Sequence, residues 1–363
     1  MRSKARLDSR RQLVIATSLL VLGFVSIASL AAGTKPGYQP DLSSKTLSLR
    51  QKAPAPPEAD HAISVNVPVV ALDVVVTDNE GNYLTTLKKE NFRITEDGVR
   101  QTITSFSNTE SPITVVLLLE HSQLAGGAFL YNATSWAEVF LRQLQSEDWV
   151  ALSTFSMRPK VEVDFTHRWA DIRAVLASMV QPDFREANLF DALIDTLDRL
   201  KHVQGKKAIL LLASGIDTFS SANLDEALAS ARESDVAIYC LGVGEQLFLS
   251  LERSGRLSGT SRLAYLQAQN QLRTLSEITG GRAWFPRFEG EIPSIMGGIA
   301  ARLRNQYSLT YTPADAKMDG KYHKVKVELV APDGGPLTVL DQKKKKRQFY
   351  VYTRQGYQAP KPD

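Results

Sequence analysis

Four apolar runs, at residues 113–119, 149–156, 207–213 and 236–243, constrain this chain more than any other feature. Runs of this length and composition read as strands buried on both faces. Between and after them, apolar residues recur at helical spacing near 129–144, 169–180, 189–203, 223–233, 263–278 and 291–305. Strands that alternate with helices predict an α/β fold with a doubly wound, mainly parallel sheet. The short alternating segment "KVEVDFT", 160–166, reads as an edge strand that returns antiparallel to 149–156.

Both flanks of this region read as β structure. "ISVNVPVVALDVVVTD" is rich in valine and is followed by the turn sequence "DNEGN". "ENFRITEDGVRQTITSFS" offers two more strands about the turn Glu96-Asp97-Gly98, and no helix of useful length is visible from 63 to 108. After 306 come "QYSLTYTP", "KYHKVKVELV", "LTVL" and "RQFYVYT", separated by turns at Asp319-Gly320 and Asp333-Gly334-Gly335. Each flank has an apolar face and nothing of its own to cover it, and small β units need a covered face to be stable. The expectation is a discontinuous β-sandwich, its first part 63–110 and its second part 306–358. The α/β domain, 111–305, is inserted between them, and 359–363 is a tail.

Residues 1–33 read as an export segment. Arg2, Lys4, Arg6, Arg10 and Arg11 precede the charge-free run 13–33, which is long enough to span a bilayer and ends in small residues. It is expected to stay as a membrane anchor or to be cleaved late. Residues 34–62, with "KPGYQP" and "QKAPAPPEAD", read as a Pro-rich tether. The basic flank stays cytoplasmic, so the rest is expected outside, in the periplasm or cell envelope, anchored or secreted.

Composition excludes several function classes. The net charge of +4 comes from the N-terminal cluster and from Lys343–Lys346 with Arg347; without them the remainder is acidic. A nucleic-acid partner is therefore not expected. The single cysteine, Cys240, can form neither an intramolecular disulfide nor a Cys-rich zinc site. "LGVGEQ" and "GGRAW" contain glycines but no phosphate-binding pattern, and read as turns. "QKKKKRQ" reads as a solvated hairpin loop, and the sequon Asn132-Ala133-Thr134 falls on a helix. Residues 247–269 are longer and more polar than a connection in this fold needs, and sit where a partner would bind near the strand C-terminal ends. His121 invites a catalytic reading with Ser122 and Glu120, but adjacent residues at a strand end point apart. No enzyme activity is expected.

The blocks "LDVVVTDNEGNYLTTLKKENFRITEDGVRQTITSF", "LSEITGGRAWF", "RLRNQYSLTYTP" and "YTRQGYQAP" occur in order around the α/β region. Together with that region they resemble the von Willebrand factor type A domain, and more closely the bacterial group called VWFA-related proteins. The resemblance covers roughly residues 64–358. It implies a Rossmann-like domain with a metal-ion-dependent adhesion site: Asp-x-Ser-x-Ser after the first strand, a Thr on a second loop, and an Asp after the fourth strand. Here the first element reads Glu120-His121-Ser122-Gln123-Leu124. Ala187 stands at the Thr position, beside Asn188, and Ser214 at the Asp position, three residues before Asp217.

Mg²⁺ needs near-ideal oxygen geometry at about 2.1 Å. Two hydroxyls are missing, one carboxylate has become a hydroxyl, and the other has grown by a methylene. The resemblance therefore implies a protein-binding face with a degenerate adhesion site and no cofactor. The alternative is a metal-dependent adhesion module that keeps Mg²⁺ or another divalent cation through Glu120, Ser122 and Asp217. The expected partners are a protein and, through the N-terminal segment, the membrane.

Overall fold

The computed structural model describes residues 69–359, apart from 109–111, 124–126, 181, 183, 315–317, 339–347 and most of 243–259. The signal segment, the tether, residues 63–68, Leu124 and the lysine run lie outside the described residues. All described residues belong to one unit, 64–363. Among them no helix is long and apolar enough to cross a membrane.

The four apolar runs become the parallel strands β5 (Ile113–Glu120), β6 (Trp149–Phe155), β8 (Lys206–Leu212) and β9 (Ala237–Leu241). β7 (Pro159–Thr166) returns antiparallel on β6, as the alternation predicts. The sheet order is β10-β9-β8-β5-β6-β7. β10 (Arg282–Trp284) is an edge strand that the sequence reading took for a turn. Three residues are too short for periodicity to show. Its preceding glycine, Gly281, packs so closely on the Ile238 backbone that a side chain has no room there.

Side chains alternate across the sheet. Ile113, Val115, Leu117 and Leu119 face one layer, while Val116 and Leu118 face the other. The first layer holds α1 (Gly127–Leu141), α2 (Trp169–Ser178) and α6 (Ile292–Arg304). The second holds α3 (Leu189–Leu200), α4 (Leu224–Glu233) and α5 (Thr260–Ile278). Leu189, Leu193, Leu197 and Leu200 give α3 one apolar stripe at helical spacing. Asn223 and Glu226 close a capping box at the start of α4.

The flanking β segments interleave. β1 (Val70–Asp78) lies between β11 (Gln306–Tyr311) and β13 (Phe349–Tyr352), and β4 (Ile103–Ser107) closes that sheet beyond β11. In the second sheet β12 (Tyr322–Leu329) lies between β2 (Phe92–Glu96) and β14 (Gly356–Gln358), and β3 (Val99–Gln101) follows β2. One core joins them, with Leu72, Val74, Ile94, Tyr307, Leu309 and Val327 among its members. Buried Glu96 accepts from the hydroxyl of Tyr311 at 2.6 Å and of Tyr357 at 3.3 Å, so one carboxylate on β2 ties strands from the other end of the chain. β14 was not expected, and Leu337 and Thr338 of the expected "LTVL" strand lie outside any strand.

The entry and exit of the α/β region meet at one side chain. Asp148, fully buried, accepts from the backbone N–H of Ile113 at 3.1 Å and of Gln145 at 2.7 Å. It also pairs with Arg304, the last residue of α6, at 2.5 Å. Removing one partner of a buried pair leaves the other charge uncompensated, which costs about 3–5 kcal/mol. Asp148→Ala should therefore lower the denaturant midpoint far more than Asp164→Ala, whose ion pair is exposed. Paired urea titrations followed by tryptophan fluorescence measure the difference.

Candidate functional site

The chain leaves β5 toward β6 on one side of the sheet and crosses to β8 on the other. That reversal makes β5 a topological switch point, where open α/β sheets carry their sites at the strand C-terminal ends. Glu120 ends β5 there, and Ser214 follows β8.

Glu120 is 1% exposed, and its carboxyl is already occupied by protein groups. Ser122 Oγ donates to Oε1 at 2.6 Å, and the backbone N–H of Ser214 donates to Oε2 at 2.6 Å. The Ser214 hydroxyl hydrogen-bonds the carboxyl as well. Burial raises the pKa of the group above the ordinary carboxylate range, and these hydrogen bonds only partly offset that. Glu120 and Ser122 therefore meet. They are two residues apart and share a face, which the adjacent-residue argument of the sequence reading overlooked.

The neighbouring predicted residues serve the loops. The His121 backbone N–H donates to Phe155 O, and Nε2 donates to Val180 O at 3.0 Å. Gln123 donates from its backbone to Phe184 O at 2.8 Å and from Nε2 to Pro182 O at 2.7 Å. Ala187 is fully buried; its N–H donates to Thr218 Oγ1, and its carbonyl accepts from the N–H groups of Thr218 and Phe219. Gly215, at φ +84°, turns the loop after β8 against Ala268 and Leu272 of α5, with no space for a side chain.

Asp217 faces the start of α3. Its Oδ1 accepts from Ser220 Oγ at 2.5 Å and from the Phe190 N–H at 3.3 Å, and Oδ2 accepts from the Ser220 N–H. Asn188 is 3% exposed and donates through Nδ2 to Met157 O, while its Oδ1 has no hydrogen-bond partner. Among the described residues no group of three or more His, Cys, Asp or Glu side chains is arranged to hold a metal.

The loops also carry a feature that the sequence reading missed. Val180, Phe184 and Phe219 are exposed on the segments that His121, Gln123 and Ala187 tie down. Phe184 stands in "QPDFREAN" and Phe219 in "GIDTFSS", both in polar stretches without periodicity. A large apolar residue isolated in such a loop was the available signal.

Residues 114–277 match the family model of the von Willebrand factor type A domain. No curated protein shows a significant match. Among solved structures, BatB from Bacteroides thetaiotaomicron is 14% identical and covers 52% of this chain and 98% of its own, at a TM-score of 0.41. A von Willebrand factor type A protein from Catenulispora acidiphila is 10% identical and covers 74% of this chain and 73% of its own, at a TM-score of 0.43. Proximal thread matrix protein 1 from the mussel byssus is 11% identical, with 58% and 51% covered and a TM-score of 0.41.

The raised Glu120 pKa fixes the sign of a pH effect. The folded state holds its proton to higher pH than the unfolded chain does, so this group's contribution to stability falls as pH rises above the ordinary carboxylate value. Glu120→Gln, an uncharged isostere, should remove that fall and match or exceed the wild type at pH 8. Glu120→Ala should cost about 1–3 kcal/mol at pH 4, because it strands the Ser214 N–H and the Ser122 hydroxyl, and less as pH rises and the wild type loses stability. Melting curves between pH 4 and 8 separate the three proteins.

Proposed function

Because the chain carries a von Willebrand factor type A domain over residues 114–277, we propose that it is an exported, membrane-tethered protein-binding module. It uses the top face of that domain, at the strand C-terminal ends, and needs no metal. The observation that carries the reading is the exposed apolar set Val180, Phe184 and Phe219 on loops held rigidly around a self-satisfied Glu120. Exposed apolar side chains with a polar surround mark protein-interaction sites, and aromatics dominate such interfaces.

The donor set supports the metal-free reading. Mg²⁺ takes hard oxygen ligands in an octahedron and keeps some of its waters. Glu120 already accepts from Ser122 and Ser214, and Asp217 accepts from Ser220 and Phe190. The free acceptor, Asn188 Oδ1, is a single neutral oxygen. The alternative reading, a divalent ion on Glu120, Ser122 and Asp217, requires the ion to share oxygens already engaged in these bonds and Asp217 to turn away from the start of α3. A non-enzymatic role is supported in the same way, since the Ser122 hydroxyl donates to Glu120 and His121 Nε2 donates to a backbone carbonyl. Export and tethering rest on the basic flank and the apolar run 13–33.

A ligand present at 100 times its dissociation constant adds about 2.7 kcal/mol. For a domain of this size each kcal/mol moves Tm by about 2–4 °C. Millimolar Mg²⁺, Mn²⁺ or Ca²⁺ should leave Tm unchanged; a rise of several degrees that Glu120→Ala abolishes would restore the metal-dependent reading. Partner capture by crosslinking in the native membrane should be lost in Phe184→Ser/Phe219→Ser, while the melting curve stays unaltered. Undiminished capture would remove the top face from the mechanism.

A further inference from the structure

Beside the candidate site, α5 and the residue following β10 enclose a cavity of about 290 Å³. Arg262, Arg273 and Arg287 line it, together with Phe248, Tyr265, Gln269 and Phe285, and among the described residues no acidic one does. Residues 262, 265, 269 and 273 follow one another at helical spacing and so share one face of α5. The same helix abuts the loop after β8 through Ala268 and Leu272, which meet Gly215, so the helix that carries the cavity also borders that loop.

The three arginines are exposed, and Arg273 is held by its neighbours. Arg273 lies over the Phe285 ring, 4.6 Å from its centroid, and donates through Nη2 to Gln269 Oε1 at 3.0 Å. Gln269 is buried and donates in turn to the Tyr265 hydroxyl. Tyr265 stacks on buried Phe248, with centroids 4.1 Å apart. A chain of buried and stacked groups thus fixes the plane of one guanidinium. A planar guanidinium presents a fork that fits carboxylate oxygens in pairs, and it gives up its weak hydration readily.

We propose that this cavity takes the carboxylate side chains of an acidic peptide segment of the protein partner. The inference rests on the top-face reading and names the chemistry of what binds there. Charge complementarity selects an anion, since three arginines line one cavity and no carboxylate does among the described residues. The aromatic wall and exposed Leu266 select a peptide over a free inorganic ion, because they offer apolar surface beside each cation. In this arrangement fixed side-chain cations do what a divalent ion does elsewhere: they meet the partner's acid.

The test is a fluorescence-anisotropy titration of the full-length protein with a labelled Asp/Glu-rich hexapeptide carrying one phenylalanine. Saturable binding is expected, weakened at least tenfold in Arg262→Glu/Arg273→Glu and less in Arg273→Lys, which keeps the charge and loses the fork. Matching melting curves confirm that the variants fold. No saturable binding, or equal binding by wild type and the charge-reversed protein, overturns the proposal. Displacement of the peptide by millimolar phosphate, or preference for a sulfated polysaccharide, overturns the peptide as occupant. Peptide binding lost in the arginine variants but kept in Phe184→Ser/Phe219→Ser, together with partner capture weakened by the arginine reversal, supports the cavity. Partner capture that survives the arginine reversal and fails in the Phe184/Phe219 variant overturns the cavity and leaves the top-face reading standing.

Discussion

The architecture depends on the carboxylate of Asp148. An α/β domain can interrupt a β-sandwich only if its two ends lie close together, and here both ends reach one buried side chain. The first residue of β5 donates its N–H to Asp148, and the last residue of α6 brings its guanidinium to it. Lys206, at the start of β8, donates to the carbonyls of Arg304 and Gln306 on the same exit. β11 therefore leaves the junction in position to pair with β1 along six residues. The loss of either charge would loosen the junction on which both cores depend.

With the junction fixed at one end of the parallel sheet, the opposite strand ends are left to the loops. There Glu120 sets the local hydrogen bonding. The carboxyl of Glu120 at the end of β5 accepts from the N–H of Ser214 across the switch point. Ser122 takes the other oxygen. The result is a closed set of short hydrogen bonds in a buried place. Those bonds join the loop after β5 to the loop after β8, and bonds from His121 and Gln123 tie the loop that carries Phe184. Rigid presentation matters for binding, since ordering a mobile loop on contact subtracts from affinity.

Much of the fold was legible because its signals are long. Buried parallel strands are continuous apolar runs, and α3 carries a leucine every three or four residues. The pairing of the two β segments followed from covering apolar faces, an argument that needs no register. Short elements escaped: β10 and β14 have three residues each and are held by neighbours rather than by composition. At the site, the positions of Glu120, Ser122, Asn188 and Ser214 were legible through the family pattern, but their bonding was not. That Asp217 serves the start of α3, and not Glu120, depends on where Ser220 and Phe190 fall in space. Arg262, Arg273 and Arg287 are separated by up to 25 positions, and no local pattern unites them.

The two kinds of positive charge that such a face can offer differ in consequence. A bound divalent ion is exchangeable, and its removal abolishes binding without any change to the chain. A guanidinium is covalently fixed and stays charged throughout the physiological range. On the proposed reading, recognition here is insensitive to chelators and sensitive to ionic strength, because exposed guanidinium groups are screened over about 10 Å at 0.1 M salt. Arg273 is the group least affected by that screening, since Phe285 covers one face of it and Gln269 holds its edge. On the same reading the partner's acid meets Arg262, Arg273 and Arg287 at the cavity, while Glu120 stays bonded to Ser122 and Ser214.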